Sequence, residues 1–196
     1  IHMAYYIWDE DEFTIDLKDK LIAKAKQGVE VRILVDDFGM NVSRRYAKEM
    51  LDNGVQMFVY YNYRSPLKLH TVSYRNHRKI TVIDGTIGYI GGINIGVDHL
   101  TGGKHFNFWR DTHLRLEGEA ARVLQGIFMT SWYNTTKESL SAERYFPPLT
   151  VDLRIRLPIH IVTSGPDSRW NAIRQLYFLM ILAAEKHIYI QSPFFI

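Results

Sequence analysis

The chain has 196 residues, 46% of them hydrophobic, which is enough to bury a core and to form one domain plus part of another. Its formal net charge of +3 is a mild basic excess that suits an anionic substrate or a lipid surface and falls far short of a nucleic-acid-binding arm. There is no cysteine, which excludes a disulfide framework and a thiolate metal site, so packing alone must hold the fold.

Strands and helices alternate through the first 60 residues. The predicted elements are a strand at 1–8, a helix from its cap Thr14 to Gly28, a strand at 29–35, a helix from Ser43 to Gly54, and a strand at 55–60. This alternation predicts an α/β fold with a largely parallel central sheet and helices on both faces. An aromatic and basic loop at 60–66 follows, which could contact a lipid or pack under the sheet.

Residues 76–94 are predicted to form a β-hairpin that ends in a pair of glycines. Side chains alternate between the two faces of a strand, so His77 and Lys79 point towards the same spot. Asp84-Gly85 separates two β-branched runs and is typical of a two-residue hairpin turn that needs positive φ. The hairpin adds an antiparallel part, so the predicted sheet is mixed.

The same hairpin gathers groups that suit a phosphate site. Gly91 and Gly92 let a bound group approach the backbone and leave amides to face an anion, and Asn94 adds a carboxamide. The Lys79 ammonium supplies a fixed positive charge, and His77 can serve as a nucleophile or proton carrier. From the residues alone, an ordinary hairpin with an inward-facing histidine is an equal alternative.

Most other carboxylates and histidines that could be functional are interpreted as structural residues. Asp36 and Asp37 end a strand and are interpreted as turn and cap residues rather than a metal pair. The loop at 97–108 is interpreted as solvated, because its histidines lack the spacing of a metal site. Asp111 is the candidate that orients His77 through the second ring nitrogen, with a surface carboxylate or an ion pair to the preceding arginine as an equal alternative.

The rest of the chain is predicted to finish one domain and begin another. A core-facing helix covers 119–137, and an irregular stretch follows; beyond it lie a strand at 159–163, a helix at 170–185 and a strand at 187–191. We therefore expect a first domain at 1–140, a connection at 141–158, and an incomplete second domain at 159–196. The longest apolar window is about half of the ~20 residues that a membrane span requires, so this segment is expected to be soluble or peripheral.

The string His77-x-Lys79-x4-Asp84-x6-Gly91-Gly92-x-Asn94 resembles the HKD motif of the phospholipase D superfamily. Four further landmarks occur in the order typical of its cardiolipin synthase branch: Gly28-Val29-Glu30-Val31-Arg32, Asn76-His77-Arg78-Lys79, Trp109-Arg110-Asp111-Thr112-His113 and Ser164-Gly165-Pro166-Asp167-Ser168. The resemblance covers essentially the whole chain. It implies one phospholipase D-like half and the start of the other, without the family's transmembrane N-terminus and second HKD motif.

The resemblance implies phosphatidyl transfer between phospholipids, as in cardiolipin synthesis, through a phosphohistidine intermediate. One histidine attacks the phosphorus, an alcohol then displaces it, and the histidine of a partner motif acts as general acid and base. His77 takes one of these roles, and Asp84 shapes the turn and the site. Lys79 and Asn94 hold the phosphoryl oxygens beside the backbone of Gly91 and Gly92. No metal and no cofactor is implied.

The implied partners are an anionic phospholipid such as phosphatidylglycerol, a membrane surface, and a second HKD half from the same chain or another; no nucleic acid is expected. The implied location is the bacterial inner membrane, with the catalytic part peripheral. One motif supplies one histidine, so the 196-residue chain is expected to be inactive as a monomer. Two alternatives stay open: a phospholipase D or nuclease that transfers to water, and a non-catalytic lipid- or phosphate-binding module.

Overall fold

A computed structural model describes residues 1–60, 75–149, 157–165 and 168–192 of the chain. These residues form two compact units, Ile1–Ile159 and His160–Ile196. The segment at 60–66, predicted to be a loop rich in tyrosine, falls outside the described residues from position 61 onward.

Eight strands, five α-helices and a 3-10 helix at Glu143–Tyr145 make up the regular structure of the described residues. The strands are β1 (His2–Tyr5), β2 (Trp8–Asp9), β3 (Val31–Asp36), β4 (Met40–Asn41), β5 (Val55–Tyr60), β6 (Ile80–Ile83), β7 (Ile87–Gly91) and β8 (His113–Glu117). The helices are α1 (Glu12–Lys26), α2 (Arg44–Asp52), α3 (Asp98–Thr101), α4 (Glu119–Thr136) and, in the second unit, α5 (Ala172–Ala183). Six strands form one sheet in the order β5-β3-β1-β6-β7-β8, and β2 pairs with β4 separately.

The sheet is mixed, as predicted, but it is not largely parallel. β3 runs parallel to β1 and to β5. The pairs β1–β6, β6–β7 and β7–β8 are all antiparallel, so antiparallel pairing predominates. The prediction failed here because the strand–helix alternation on which it rested covers only the first 60 residues. Beyond them, a hairpin and a further antiparallel strand extend the sheet.

Helices cover both faces of the sheet, as predicted. On one face, α1 and α2 pack through residues such as Ile22 and Met50 against Ile33 of β3. On the other face, α4 packs through Phe128 and Trp132 against Leu34. Consecutive residues of a strand point to opposite faces, so neighbours in β3 enter different cores. All six residues of β3 are buried, which explains why the strand is apolar except for Arg32 and Asp36.

The two N-terminal helices begin at side-chain caps. Asp11, not the predicted Thr14, is the N-cap of α1: its Oδ1 accepts the Thr14 N–H over 2.9 Å, and the Thr14 hydroxyl accepts the Asp11 N–H over 2.9 Å. This reciprocal capping box uses both residues, so the sequence pattern alone located the turn but not the cap. The predicted start of α2 at Ser43 is confirmed, because Ser43 Oγ accepts the Tyr46 N–H over 3.1 Å.

The second unit contains the predicted helix but not the predicted strands. α5 lies within the range expected from its apolar sequence, and none of its residues is buried. The segments 159–163 and 187–191 are irregular, because neither pairs with another described segment and a strand requires a partner for its N–H and C=O groups. None of the helices in the described part of the chain has the length and apolar character that a membrane span requires.

Candidate active site

The segment that carries His77 and Lys79 leads into β6, next to β1 in the middle of the sheet. β6 begins only at Ile80, so both residues precede the strand in which they were predicted. Their side chains nevertheless converge: Lys79 Nζ lies 3.3 Å from each ring nitrogen of His77 and donates to the His77 carbonyl over 3.1 Å. His77 is exposed, whereas Lys79 is only 4% exposed. An accessible imidazole therefore stands beside a buried ammonium.

The surroundings change the proton affinity of both groups. Burial lowers the pKa of Lys79 from 10.5 to about 8, while the charge of Asp111 acts in the opposite direction. Partial desolvation of its ring also lowers the pKa of His77 below 6.5, although the residue is exposed; the adjacent Lys79 charge lowers it further, and Asp36 opposes the shift. At neutral pH the imidazole is therefore neutral and keeps a lone pair for nucleophilic attack.

Tyr6 contacts both members of this pair, and sequence reasoning missed it. Its ring centroid lies 4.6 Å from that of His77, and Lys79 Nζ lies 5.2 Å from the Tyr6 centroid. Tyr6 follows the last residue of β1, and β1 pairs with β6, which explains the contact. An aromatic face near a buried ammonium favours its charged form. The only sequence signal was the aromatic run at the start of the chain, which indicated no more than a strand.

Asp36 anchors the segment that carries His77. It is fully buried; its Oδ2 accepts the Asn76 N–H over 2.9 Å, its Oδ1 accepts the Phe38 N–H over 3.0 Å, and the Arg75 guanidinium lies 3.7 Å from Oδ1. The bond to Phe38 is the predicted turn contact. The bond to Asn76 spans 40 residues and was not predicted. The carboxylate thus joins the end of β3 to the backbone directly before the catalytic candidate.

We expect Asp36→Asn to lower turnover of the full-length protein by roughly 10–100-fold, because a displaced His77 no longer meets the phosphorus correctly. The free energy of unfolding should fall by about 1–3 kcal/mol, since a buried hydrogen bond to a carboxylate is weakened. Because Asp36 raises the pKa of His77, the acid limb of the pH profile should also move to lower pH. Asp37→Asn is the matched control, and an identical profile for both variants would refute an anchoring role specific to Asp36.

Gly91 and Gly92 make room for the neighbouring chain. The Gly92 N–H donates to the Thr112 carbonyl over 3.1 Å, so the expectation that this amide faces an anion is wrong. A Cβ on Gly92 would collide with the Asp111 carboxylate, and one on Gly91 would collide with the Thr112 carbonyl. The sequence could not show whether the space beside a glycine holds a ligand or another strand. Here the glycine pair lets the segment before β8 close on β7.

Asp111 lies in that segment and, within the described part of the chain, makes neither a hydrogen bond to His77 nor an ion pair with Arg110. Its Oδ1 accepts the Thr112 N–H over 2.7 Å, and its Oδ2 accepts the Trp109 indole N–H over 3.4 Å. Through space, its charge raises the pKa of the site's lysine. The orientation of His77 by Asp111 stays a prediction.

Asp84 lies in the turn at the far end of β6 from the histidine. Asp84 and Gly85 have φ of 52° and 69°, and the Thr86 N–H donates to the Ile83 carbonyl over 3.1 Å, as the predicted turn with positive φ requires. Ile83 pairs with Ile87, so the loop has three residues rather than two. Asp84 is exposed and shapes the hairpin. Its contribution to the site stays a prediction.

Asn94 is buried and already serves the backbone. Its Oδ1 accepts the Ile7 N–H over 3.0 Å, and its Nδ2 lies 3.5 Å from His99 Nε2. His99 also packs edge-on against the Trp109 ring, with centroids 4.8 Å apart. Burial lowers the pKa of His99, and the Lys79 charge contributes to that shift. The interpretation of this loop as solvated is therefore wrong for His99, which is half-buried near the candidate site.

Within the described residues, no group of three or more histidines and carboxylates is placed to hold a metal ion. The groups that converge on His77 are the ammonium of Lys79 and the ring of Tyr6. Together they offer a nucleophile and a positive charge at the end of the sheet where β1 stops and β6 begins. This arrangement suits attack on a phosphoryl group.

Comparisons with known proteins identify the family of the chain. A family model described as "Cardiolipin synthase, PLD-like domain" matches residues 1–141. The cardiolipin synthase of Geobacillus sp. (strain WCH70) is 46% identical to this chain over 197 residues, which cover 100% of the chain and 39% of that protein. The cardiolipin synthase of Alkalihalophilus pseudofirmus is 44% identical, with the same two coverages. The chain thus spans about two fifths of the length of these relatives.

A solved structure supports the fold. The crystal structure of Nuc, a phospholipase D family member from Salmonella typhimurium, superposes with a TM-score of 0.50 and 16% sequence identity, covering 68% of this chain and 78% of Nuc. The family model carries the assignment, because its match extends over more than two thirds of the chain. The chain belongs to the family of cardiolipin synthase phospholipase D-like domains.

Proposed function

We propose that the protein transfers a phosphatidyl group between phospholipids, the reaction of cardiolipin synthesis, through a phosphohistidine intermediate. The observation that carries the proposal is the exposed His77 imidazole with the buried Lys79 ammonium 3.3 Å from its ring nitrogens. The names of the relatives support the choice of reaction. Because the chain spans only 39% of those relatives, the proposal concerns the full-length protein.

The chemistry requires one nucleophile and one proton carrier. A neutral histidine attacks the phosphorus, which forms an N–P bond and breaks the P–O bond to the departing alcohol; a second histidine gives that alcohol its proton. The acceptor alcohol then attacks the phosphorus, breaks the N–P bond and returns a proton to the second histidine. His77 takes one of these two roles. Lys79 stabilises the negative charge that builds up on the non-bridging oxygens.

A second HKD half, in the same chain or in another copy, supplies the second histidine in this proposal. The relatives' greater length leaves room for such a half. The proposed substrate is an anionic phospholipid of the phosphatidylglycerol type, met at a membrane surface by a peripheral catalytic part. Asn94 contributes its Nδ2 side, because its Oδ1 already accepts a backbone N–H.

We expect Asp111→Asn to reduce the rate strongly while leaving lipid binding almost unchanged, because an amide cannot stabilise a neighbouring cation as a carboxylate does. The pH dependence of kcat/KM shows whether Asp111 acts on Lys79 or on His77. Loss of the Asp111 charge lowers the pKa of Lys79, so the alkaline limb should move to lower pH. A shift of the acid limb instead would show that Asp111 acts on His77. Glu117→Gln, at the other end of β8, is the matched control, and equal rates in both variants would contradict a role for Asp111.

The deciding experiment incubates the full-length protein with labelled phosphatidylglycerol in water. We expect cardiolipin and glycerol as products, together with an acid-labile phosphohistidine. Phosphatidic acid as the sole product would favour the hydrolase alternative. Intact lipid binding with neither turnover nor a trapped phosphohistidine would favour a non-catalytic binding module.

A further inference from the structure

Exposed apolar side chains gather at the strand ends beside His77, which we call the catalytic edge of the sheet. β1 and β3 are parallel and end at this edge, and the antiparallel β6 begins there. β7 ends and β8 begins at the same edge. The segments that follow β3 and that join β7 to β8 therefore project from the side of the molecule on which the site lies. Both segments carry exposed aromatic side chains.

The segment between β7 and β8 contains what we call the aromatic loop, residues 98–110. Its exposed apolar residues are Leu100, Phe106 and Phe108, with exposed fractions of 46%, 49% and 75%. Phe38, two residues after the end of β3, is 64% exposed. Aromatic rings with such exposure are unusual on a surface that faces only water, and grouped at one edge they indicate a partner.

The aromatic loop is held in place by its own contacts. The Phe106 N–H donates to the Gly102 carbonyl over 2.8 Å, and His105 Nδ1 lies 2.5 Å from Asp98 Oδ2. The Phe106 ring packs against Trp109 with centroids 5.0 Å apart, and Trp109 in turn packs against His99. The loop is therefore connected to the interior beside the site while its outer side chains point away from it.

The charge of the loop favours one kind of partner. Lys104 and Arg110 are exposed, and neither forms an ion pair in the described part of the chain. The carboxylate of Asp98 pairs with His105 and not with either of these cations. Protein interfaces are depleted of lysine and of charged residues at their centre, although arginine is enriched in them. Aromatic side chains flanked by unpaired cations instead match a bilayer, where rings enter the interfacial region and cations meet anionic headgroups.

We propose that the aromatic loop is the element that docks the catalytic edge on an anionic lipid bilayer, with Phe106 and Phe108 inserted and with Lys104 and Arg110 at the headgroups. This inference rests on the proposed function, because it explains how a lipid phosphorus reaches His77 from the surface in which the lipid lies. The loop brings the edge to the bilayer without any contact to the reacting atoms.

The 196 residues contain no cysteine, so an introduced cysteine is the single thiol in this part of the chain; cysteines elsewhere in the full-length protein are first replaced by serine. An environment-sensitive fluorophore is attached to Phe108→Cys in the full-length protein, which is placed in phosphatidylglycerol-rich vesicles or in phosphatidylcholine vesicles. We expect a blue shift, and quenching by brominated lipid, in the first vesicles and much less in the second. The same probe on Glu117→Cys, at the opposite end of β8, is the matched control and should remain unquenched.

Charge reversal tests the headgroup contact. Lys104→Glu combined with Arg110→Glu should weaken the affinity for the vesicles, measured by the quenching at position 108, by at least roughly fivefold per cation at low salt. Unchanged quenching in that variant would refute the electrostatic part of the proposal. A probe at position 108 that is already blue-shifted without vesicles, or unquenched in both vesicle types, would overturn the proposal; the first result would assign the loop to a protein interface.

A kinetic comparison links docking to turnover. Phe108→Ser should reduce turnover of vesicle-bound substrate by roughly tenfold or more, as expected for an apolar ring removed from the bilayer. Turnover of a short-chain, monomeric substrate should stay unchanged. The fluorescence measurement needs no catalysis, so failure of the docking proposal and failure of the proposed reaction are distinguishable. Equal losses on both substrates would refute docking as the role of Phe108.

Discussion

We expect His77→Ala to abolish phosphatidyl transfer in the full-length protein and to leave the fold intact. The substitution removes the nucleophile or the general acid, and loss of such a group from a catalytic unit costs roughly 10⁴-fold or more in turnover. His77 is exposed, and its side-chain contacts within the described residues are with Tyr6 and Lys79. The free energy of unfolding should therefore change by less than about 1 kcal/mol. Cardiolipin formation and chemical denaturation, measured on the same preparation, check both parts.

The matched control for His77 is His160→Ala. His160 is also exposed and lies in the second unit, so this variant should keep most of its turnover. The wild-type pH profile adds a second check. Because partial desolvation and the Lys79 charge lower the pKa of His77, activity that needs the neutral imidazole should persist below pH 6.5 before it falls. Undiminished transfer by His77→Ala would remove this histidine from the mechanism.

The convergence of His77 and Lys79 could be predicted because it depends on two positions in one extended segment. The turn at Asp84 was likewise encoded locally by Asp84-Gly85. The contact of Tyr6 with this pair depends on the pairing of β1 with β6, which no pattern around Tyr6 encodes. Local chemistry was therefore predictable, whereas the residues that come from neighbouring strands were not.

Asp36 shows the same limit more sharply. A carboxylate at the end of a strand usually serves its own turn, and the bond to the Phe38 N–H fits that expectation. Its bond to Asn76 exists because β3, β1 and β6 are adjacent in the sheet. Only the order of the strands, set by packing across both faces, turns a cap residue into an anchor for the catalytic segment. The sequence pattern gave the strands but not their order.

Gly91 and Gly92 show a related limit: the sequence does not reveal which group occupies the space beside a glycine. At Gly91 and Gly92 the sequence indicated free space and exposed amides, because glycine permits close approach of any group. In the structure the approaching group is the chain before β8, whose Thr112 carbonyl accepts the Gly92 N–H. The Gly92 amide is therefore not free for a phosphate, and the buried Lys79 ammonium next to His77 is the candidate for the positive charge there.

Lys79→Met tests that candidate and should have the second-largest effect. We expect kcat/KM to fall by roughly 10²–10³-fold, with a higher KM and a lower kcat, because the ammonium acts on the phosphate in the ground state and in the transition state alike. Stability should be kept or increased, since an apolar side chain replaces a buried charge that has no carboxylate within ion-pair distance among the described residues. Steady-state kinetics and denaturation curves measure the two effects separately.

The pH dependence distinguishes the charge of Lys79 from its bulk. In the free wild-type protein kcat/KM should fall as the pH rises through about 8, where Lys79 loses its proton, and this limb should be missing in Lys79→Met. Lys79→Arg keeps the charge and should move the limb out of range. The unfolded chain holds the lysine proton up to pH 10.5, so wild-type stability should rise between about pH 8 and 10.5, and Lys79→Met should lose this rise. A changed melting temperature with unchanged kinetics would make Lys79 a structural residue, and the positive charge at the phosphorus would have to come from another part of the protein.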